Sequence, residues 1–129
     1  PLQMTGYHFK GRTHSSYGNV AWLKEAHNQV VWINPADAKA RGIENNDKVQ
    51  VFNDRGCIEL QAKVTPRIIR GVCSVPEGAW YKPDAERVDD NDFPIDRNGC
   101  ANVLTRHHPS ALAKSNPQYT NNVQIRKAK

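Results

Sequence analysis

The sequence predicts a mainly β domain, a barrel or a sandwich, in which at least one short helix crosses over between strands. Short β-branched runs recur along the chain and are separated by turns rich in Gly, Pro and Asn, a pattern typical of all-β barrels and sandwiches. A short helix over residues 34–42 lies between two of these runs, which favours a barrel with crossover connections over a plain up-and-down barrel. The 129 residues are enough for one domain and hardly for two.

The first part of the chain alternates short strands with short helices. The expected order is a strand at 3–9, a polar loop at 10–19, a helix at 20–27 and a strand at 29–33. In the helix that follows, Asn34 is a good N-cap and Pro35 suits the first helical position, where a missing N–H costs nothing. Gly42 supplies the left-handed residue that ends it.

The second part reads as strands separated by turns. Strands are expected at 48–53, 57–64, 72–75, 101–105 and 123–126. In 57–64 the alternation predicts one inward and one outward set, namely Ile58, Leu60, Ala62 and Val64 inward, and Cys57, Glu59, Gln61 and Lys63 outward. Residues 81–100 read as a long polar excursion, too long for a structureless loop unless it is functional or mobile, and 106–120 as irregular.

Charge is distributed unevenly along the chain. The net charge is +5 with a pI near 9.3, both ends are basic, and acidic residues cluster between Asp84 and Asp96. An excess of basic residues favours an anionic partner. Nucleic acid, an anionic membrane surface and a phosphorylated cofactor are therefore candidates. If the two ends meet in the fold, they form one anion-attracting surface; otherwise the terminal Lys and Arg are merely solvated.

Other patterns exclude several function classes. No apolar run approaches the roughly 20 residues that span a bilayer, and no signal-peptide h-region or repeat is visible. The three cysteines form no C-x-x-C pair, so a zinc ribbon is disfavoured and buried, inert cysteines are expected. His107 and His108 are adjacent, so their side chains diverge, and we assign no metal ligand. His14 with Ser15 or Ser16 lacks the G-x-S-x-G context of a hydrolase.

Three short segments carry candidate chemistry, and each has an ordinary structural alternative. Arg12, His14 and three hydroxyls between positions 13 and 16 suit a phosphate or pyrophosphate, or form a surface loop. Trp80 and Tyr81 suit a flat heterocycle, or pack in a core. Asn102 suits the edge of a ring, or ends a strand.

An ordered series of motifs runs through nearly the whole chain. It comprises Arg12-Thr13-His14-Ser15, Trp32-Ile33-Asn34-Pro35, Asp37-Ala38, Gly42-Ile43, Asn53-Asp54-Arg55-Gly56, Glu77-Gly78-Ala79-Trp80, Asn102-Val103-Leu104-Thr105 and Pro109-Ser110. In order and spacing, the series resembles the C-terminal molybdopterin-dinucleotide-binding domain of the dimethyl sulfoxide reductase family. Within that family it is most similar to the catalytic subunit of the bacterial anaerobic enzymes and their paralogues.

The resemblance implies a fold and a cofactor. The fold is a six-stranded double-psi β-barrel with short crossover helices. The cofactor is molybdenum held between two molybdopterin guanine dinucleotides, and an iron–sulfur cluster is expected in the parent but outside this chain. Carried over by motif, the implied cofactor-binding residues are Arg12, Thr13, His14, Ser15, Glu77, Trp80, Tyr81, Asn102, Lys114, Ser115 and Asn116.

The resemblance also implies a larger protein. Residues 1–129 would form the C-terminal domain of a catalytic subunit, in keeping with a chain that starts at Pro1, and the domain alone is not expected to be active. Expected partners are the other domains of that subunit, an iron–sulfur electron-transfer subunit and a membrane anchor, with no nucleic acid. The parent would reduce an S- or N-oxide in anaerobic respiration, at the periplasmic face of the bacterial inner membrane.

Two alternatives remain open at this point. A basic barrel that binds nucleic acid would interleave aromatics with Lys and Arg on one sheet face, whereas the three Trp lie in or beside apolar runs and the acidic segment would repel phosphates. A small self-processing decarboxylase would need a Gly-Ser processing site, and the chain has no Gly-Ser dipeptide.

Overall fold

The computed structural model describes residues 1–115 and 120–128. Its strands are β1 (Leu2–Tyr7), β2 (Val30–Ile33), β3 (Lys48–Asn53), β4 (Gly56–Val64), β5 (Val72–Pro76), β6 (Pro83–Val88), β7 (Pro94–Asp96) and β8 (Asn121–Lys127). Its helices are α1 (Ala21–Ala26), α2 (Pro35–Lys39) and a 3₁₀ helix (Ala101–Leu104). No helix among the described residues is long and apolar enough to cross a membrane.

Six of the strands close into a barrel. Their order is β2-β5-β1-β8-β3-β4, and pairing of β4 with β2 closes the ring. Two of the pairs are parallel, β1 with β5 and β2 with β4, and each is joined by crossover connections. This closed six-stranded barrel with few short helices confirms the fold class that the resemblance implied.

The barrel interior is a single apolar core. It is filled by side chains that alternate along the strands, including Leu2, Met4, Val31, Ile33, Val49, Val51, Ile58, Leu60, Cys73, Val75, Val123 and Ile125. Each fully buried aliphatic side chain of this kind contributes roughly 1.5–3 kcal/mol relative to its exposed state. The three cysteines are free and buried, as expected, and burial raises the pKa of the Cys57 and Cys73 thiols to about 12.

The helix predicted at 34–42 is present as α2, with the capping residues that the sequence indicated. The Asn34 side chain accepts a hydrogen bond from the Ala36 N–H at 3.0 Å, and Pro35 opens α2. Gly42 takes the left-handed conformation with φ of +63° just after the helix. The local sequence was sufficient to predict this helix because the residues that cap its two ends lie within it or next to it.

The polar segment 81–100, judged too long for a structureless loop, contains two strands that the sequence analysis did not assign. These strands are β6 and β7, and β7 pairs with β4 outside the closed ring. Arg87 on β6 pairs with Glu59 on β4, and the side chains of Glu59 and Cys57 are both buried although the alternation of β4 placed them on its outer face. Alternation identifies the two faces of a strand but not which segment covers the outer face. The sequence of β6 is too polar to be predicted as a strand that packs over another.

The 3₁₀ helix replaces a predicted strand at 101–105. Its last residue, Leu104, is buried in the core, and the Leu104 carbonyl accepts hydrogen bonds from Asn53 Nδ2 and Arg55 Nε, both at 2.9 Å. These donors belong to the β3–β4 turn, so a long-range contact decides the local conformation.

Strand directions bring certain loops to one end of the barrel. The ends of β1, β3 and β5 and the starts of β2, β4 and β8 lie there, as the registers require. The two chain termini do approach, since β1 pairs with β8. However, β8 runs away from this end, and its basic residues pair with acids, Arg126 with Asp90 and Lys127 with Asp47. Arg126 and Lys127 therefore do not contribute to a single basic surface formed by the two ends of the chain.

Candidate functional site

Two loops leave the barrel side by side at this end. Tyr7 and Pro76 are neighbours in the parallel pair of β1 and β5, and the Glu77 N–H donates to the Tyr7 carbonyl at 3.1 Å. The loop after β1 contains the Arg12–Ser16 motif, and the turn after β5 contains Glu77 and Trp80. Segments 65 residues apart in sequence are thus brought together by strand pairing.

Arg12 lies at the centre of these loops. Its guanidinium donates to Gln29 Oε1 and to the Glu77 carbonyl, both at 2.8 Å, and stacks 4.2 Å from the centre of the Phe9 ring. Its Nε is buried and has no hydrogen-bond partner among the described residues. Burial lowers the pKa of Arg12 from its usual value, yet an arginine remains charged at neutral pH. The loop therefore carries a fixed cation.

Gln29 is a site residue that the sequence analysis missed. Its amide accepts from Arg12 and donates to the carbonyls of Pro76 and Gly99, both at 2.9 Å. One side chain thus joins the loop after β1, the end of β5 and the segment that leads into the 3₁₀ helix. Nothing in the local pattern identified it, because a glutamine before a β-branched run is unremarkable.

Removal of the Gln29 amide is expected to loosen all three segments. Gln29→Ala leaves the Arg12 guanidinium and two carbonyls without this partner, and each such loss costs about 1–3 kcal/mol where water cannot replace it. We expect the free energy of unfolding in urea to fall by roughly that amount. Gln61→Ala, an exposed position on β4, should change it by less than about 0.5 kcal/mol. Equal effects of the two substitutions would contradict the bridging role.

His8, His14 and Glu77 form a cluster at the rim of the site. His14 Nδ1 lies 3.0 Å and His8 Nε2 3.2 Å from Glu77 Oε1. His14 adopts a left-handed conformation with φ of 51°, which is uncommon for a residue other than glycine and is found at functional sites. Gly78 makes the approach possible, because a Cβ there would lie 1.7 Å from the His14 carbonyl oxygen.

The two aromatic residues of the second loop are not in the core. Trp80 and Tyr81 are 51% and 53% exposed. Trp80 Nε1 donates to the Ser15 carbonyl at 2.7 Å and covers Gly18, which links the second loop to the first. Both rings thus remain available to cover a flat ligand.

The other predicted site residues lie in different surroundings. Thr13 and Ser15 are exposed in the first loop, and Asn102 is exposed on the 3₁₀ helix at the same barrel end. Lys114 and Ser115 are exposed and make their described hydrogen bonds with Ser110 in their own loop, so these contacts do not join them to the others. Asn116 lies outside the described residues.

Two cavities adjoin this region. A cavity of about 170 Å³ beside Arg12 is lined by Gly18, Gln29, Ala79, Trp80 and Asn98, among others. A larger cavity, of about 800 Å³, lies on the flank of the barrel against β2 and β4, and its lining holds Tyr7, Phe9, Trp32, Lys10, Lys63 and Arg67 but none of the predicted site residues. Because the smaller cavity adjoins the fixed cation, we centre the candidate site on the residues around it.

The donors of this barrel end suit an anionic, ring-bearing ligand. They comprise a guanidinium, two imidazoles, hydroxyls and an amide, together with exposed aromatic faces. Charged and neutral N–H and O–H donors in one place are what a pyrophosphate needs, and the buried Arg12 Nε, which lacks a hydrogen-bond partner within residues 1–115 and 120–128, marks hydrogen-bonding capacity that this part of the chain does not use. The residues present therefore fit a dinucleotide cofactor.

Comparisons with known proteins agree with this geometry. Residues 2–122 match the family described as Molydopterin dinucleotide binding domain. The chain is 58% identical over 127 residues to Dimethyl sulfoxide reductase DmsA of Escherichia coli (strain K12), covering 98% of this chain and 15% of that protein. It is 39% identical over 132 residues to Trimethylamine-N-oxide reductase of Haemophilus influenzae, covering 98% of this chain and 16% of that protein.

A solved structure shares the fold. Acetylene Hydratase from Pelobacter acetylenicus superposes with a TM-score of 0.71 at 18% identity, covering 99% of this chain and 18% of that one. The chain spans about 15% of the length of the curated relatives that it matches. By the family match over almost its whole length and by its curated relatives, this chain belongs to the molybdopterin dinucleotide binding domains, as found in dimethyl sulfoxide and trimethylamine-N-oxide reductases.

Proposed function

We propose that the chain binds a molybdenum bis(molybdopterin guanine dinucleotide) cofactor at the barrel end around Arg12. The observation that carries the proposal is the convergence of three loops on the Gln29 amide, which holds the Arg12 guanidinium in place. Arg12 and the hydroxyls of Thr13 and Ser15 would hold a pyrophosphate, because charged donors bind phosphate oxygens strongly. The remaining proposed contacts are His14, Glu77, Trp80, Tyr81, Asn102, Lys114, Ser115 and Asn116.

The residues of this chain would bind and orient the cofactor and exclude water from one side of it. When bound, the cofactor supplies the oxygen-atom transfer. Asn102 would recognise the edge of a pterin ring, since an amide both donates and accepts, while Trp80 and Tyr81 would cover a flat face. No residue of this chain is assigned a catalytic role, so we expect the domain alone to be inactive.

The parent would be a catalytic subunit of an S- or N-oxide reductase, of which residues 1–129 form one domain. The relatives are named dimethyl sulfoxide reductase and trimethylamine-N-oxide reductase, and this proposal assigns the same class of activity to the parent of this chain. In keeping with the resemblance, we propose an iron–sulfur cluster in the rest of that subunit, an iron–sulfur electron-transfer subunit and a membrane anchor as partners, and a place at the periplasmic face of the inner membrane in anaerobic respiration.

Two ligands distinguish this proposal from a nucleic-acid-binding barrel. The chain is titrated with guanosine diphosphate and with single-stranded DNA at two salt concentrations. We expect saturable nucleotide binding and at most weak DNA binding. Strong DNA binding that falls steeply with salt, without affinity for the nucleotide, would overturn the proposal.

In the full-length parent, two substitutions test the individual contacts. His14→Ala and Asn102→Ala each remove a donor that is expected to face the cofactor, and one hydrogen bond to a charged group is worth about 1.5–3 kcal/mol, or roughly tenfold or more in affinity. Cofactor occupancy, measured as molybdenum per protein after dialysis, should fall in both. The matched controls His108→Ala and Asn91→Ala change exposed residues elsewhere. Wild-type occupancy in both site variants would contradict these two contacts.

A further inference from the structure

The cluster of His8, His14 and Glu77 has a geometry that cofactor binding does not require. His8 is not among the proposed cofactor contacts, yet its Nε2 faces the same Glu77 oxygen as His14 Nδ1. The three ligand atoms all lie within 4.8 Å of one another. Two imidazole nitrogens and a carboxylate oxygen are ligands that Zn²⁺ accepts.

The spacing is close to that of a bound metal ion. In a tetrahedral site with bonds of about 2.0–2.1 Å, neighbouring ligand atoms are about 3.3 Å apart. The two nitrogen-to-oxygen distances here are 3.0 and 3.2 Å. Because the side chains of His8 and His14 are 77% and 72% exposed, their rings can turn to bring the two nitrogens closer without disturbing the core.

The backbone holds the three residues at this point. His8 and Glu77 each follow a member of the Tyr7–Pro76 pair in the barrel, so their separation is set by strand pairing. His14 is brought back to them by its left-handed conformation and by the contact of its carbonyl with Gly78. The side chain of Glu77 is only 15% exposed, so the carboxylate is held between the two rings. Because the backbone positions are set in advance, only rotation of the exposed imidazole rings has to be restricted on binding an ion.

We propose that, in the absence of the cofactor, His8 Nε2, His14 Nδ1 and Glu77 Oε1 bind one divalent transition-metal ion of the Zn²⁺ class. Two imidazoles and one carboxylate leave the fourth position to water, as in open zinc sites. Mg²⁺ is not expected to bind, because it prefers oxygen ligands and octahedral geometry. This site goes beyond the proposed function and does not depend on it, although it shares His14 and Glu77 with the proposed cofactor contacts.

Calorimetric titration of the 129-residue chain with ZnCl₂ tests the site directly. We expect one ion per chain and no heat of binding with MgCl₂. His8→Gln and Glu77→Gln each remove a ligand and should weaken binding at least about tenfold, since even the loss of an outer-shell partner costs 10–100-fold. His107→Gln and His108→Gln are matched controls, because both residues are exposed, and each should bind as the wild type does.

A spectroscopic measurement on the wild-type chain tests the site even if a variant misfolds. Co²⁺ added to the wild-type chain should give the intense visible absorption of four-coordinate cobalt, and one equivalent of Zn²⁺ should abolish it. Circular dichroism identifies any variant that has lost the barrel. Absence of a one-to-one complex, equal affinity in His8→Gln and His108→Gln, or a Co²⁺ spectrum identical to that of the hydrated ion would each overturn the proposal. None of these outcomes bears on nucleotide binding, so failure here is distinguishable from failure of the proposed function.

Discussion

Gly78→Ala is expected to lower the free energy of unfolding by about 3 kcal/mol or more, and to separate the two loops of the site. Gly78 has a φ of +83°, and a Cβ at this position would lie 1.7 Å from the carbonyl oxygen of His14. An L-residue there bears the strain of the left-handed conformation, about 1–2 kcal/mol, and must also push the backbone of the first loop away. Urea unfolding measures the stability, and molybdenum occupancy of the proposed full-length parent measures the site.

Gly71→Ala is the matched control for that substitution. Gly71 has nearly the same φ, +80°, but nothing lies within 4 Å of a Cβ added there. It should therefore show the conformational strain alone, with cofactor occupancy unchanged. Equal losses of stability in the two variants would show that separating the two loops costs no stability, and that their contact at Gly78 is not needed for the fold.

Glu59→Gln is expected to destabilise the chain by about 2–3 kcal/mol, somewhat less than the 3–5 kcal/mol typical of breaking a buried ion pair. The Glu59 side chain has no exposed surface, and it accepts two hydrogen bonds from Arg87 at 2.8 Å and lies 2.8 Å from Lys48 Nζ. Neutral glutamine leaves Arg87 facing an amide that cannot replace both contacts. The loss is moderated because the cations themselves reach solvent. Thermal and urea unfolding measure it, with exposed Glu25→Gln as control.

The same carboxylate makes the stability depend on acid. Burial alone would raise the pKa of Glu59, but hydrogen bonds from Arg87, Lys48 and Gln50 outweigh it and hold the pKa at about 2, against an ordinary value of 4.5. A lowered folded-state pKa stabilises the fold above the unfolded-state value, and this contribution is lost as pH falls towards about 2. The stability difference between wild type and Glu59→Gln should therefore shrink below pH 4.5. A constant difference down to pH 2 would show that Glu59 is not held ionised.

Glu59 also shows why one part of the fold was not predictable. The alternation of β4 correctly separated an apolar face from a polar one. It placed Glu59 on the outer face, in keeping with the rule that a lone carboxylate is rarely buried unless it is paired. Its partner Arg87 is 28 residues away on β6, and Asp84 pairs with Arg87 in turn. A covering layer held by ion pairs has no hydrophobic periodicity, so this segment resembles a polar loop in sequence.

The candidate site likewise contains residues that the sequence indicated and residues that only the structure identified. The phosphate-binding character of the Arg12 loop was visible in its residue types, and the ordered motifs pointed to the family. Gln29 and the His8–His14–Glu77 cluster were not visible, because their contacts span from 6 to 70 residues and depend on which strands pair. The adjacent pair His107-His108, to which no metal ligand was assigned, is exposed and lies outside this cluster.

Sequence by itself determined the barrel class, the capped helix α2, the buried cysteines and the family, because each rests on local periodicity, local capping or an ordered series of motifs. Tertiary structure alone decided that β6 and β7 cover the outer face, that 101–104 is helical, and that the basic C-terminus is neutralised by Asp47 and Asp90. It also decided that Arg12 is fixed by Gln29. The physical reason is the same throughout: these features arise from hydrogen bonds and ion pairs between distant segments, which become neighbours only when the barrel closes.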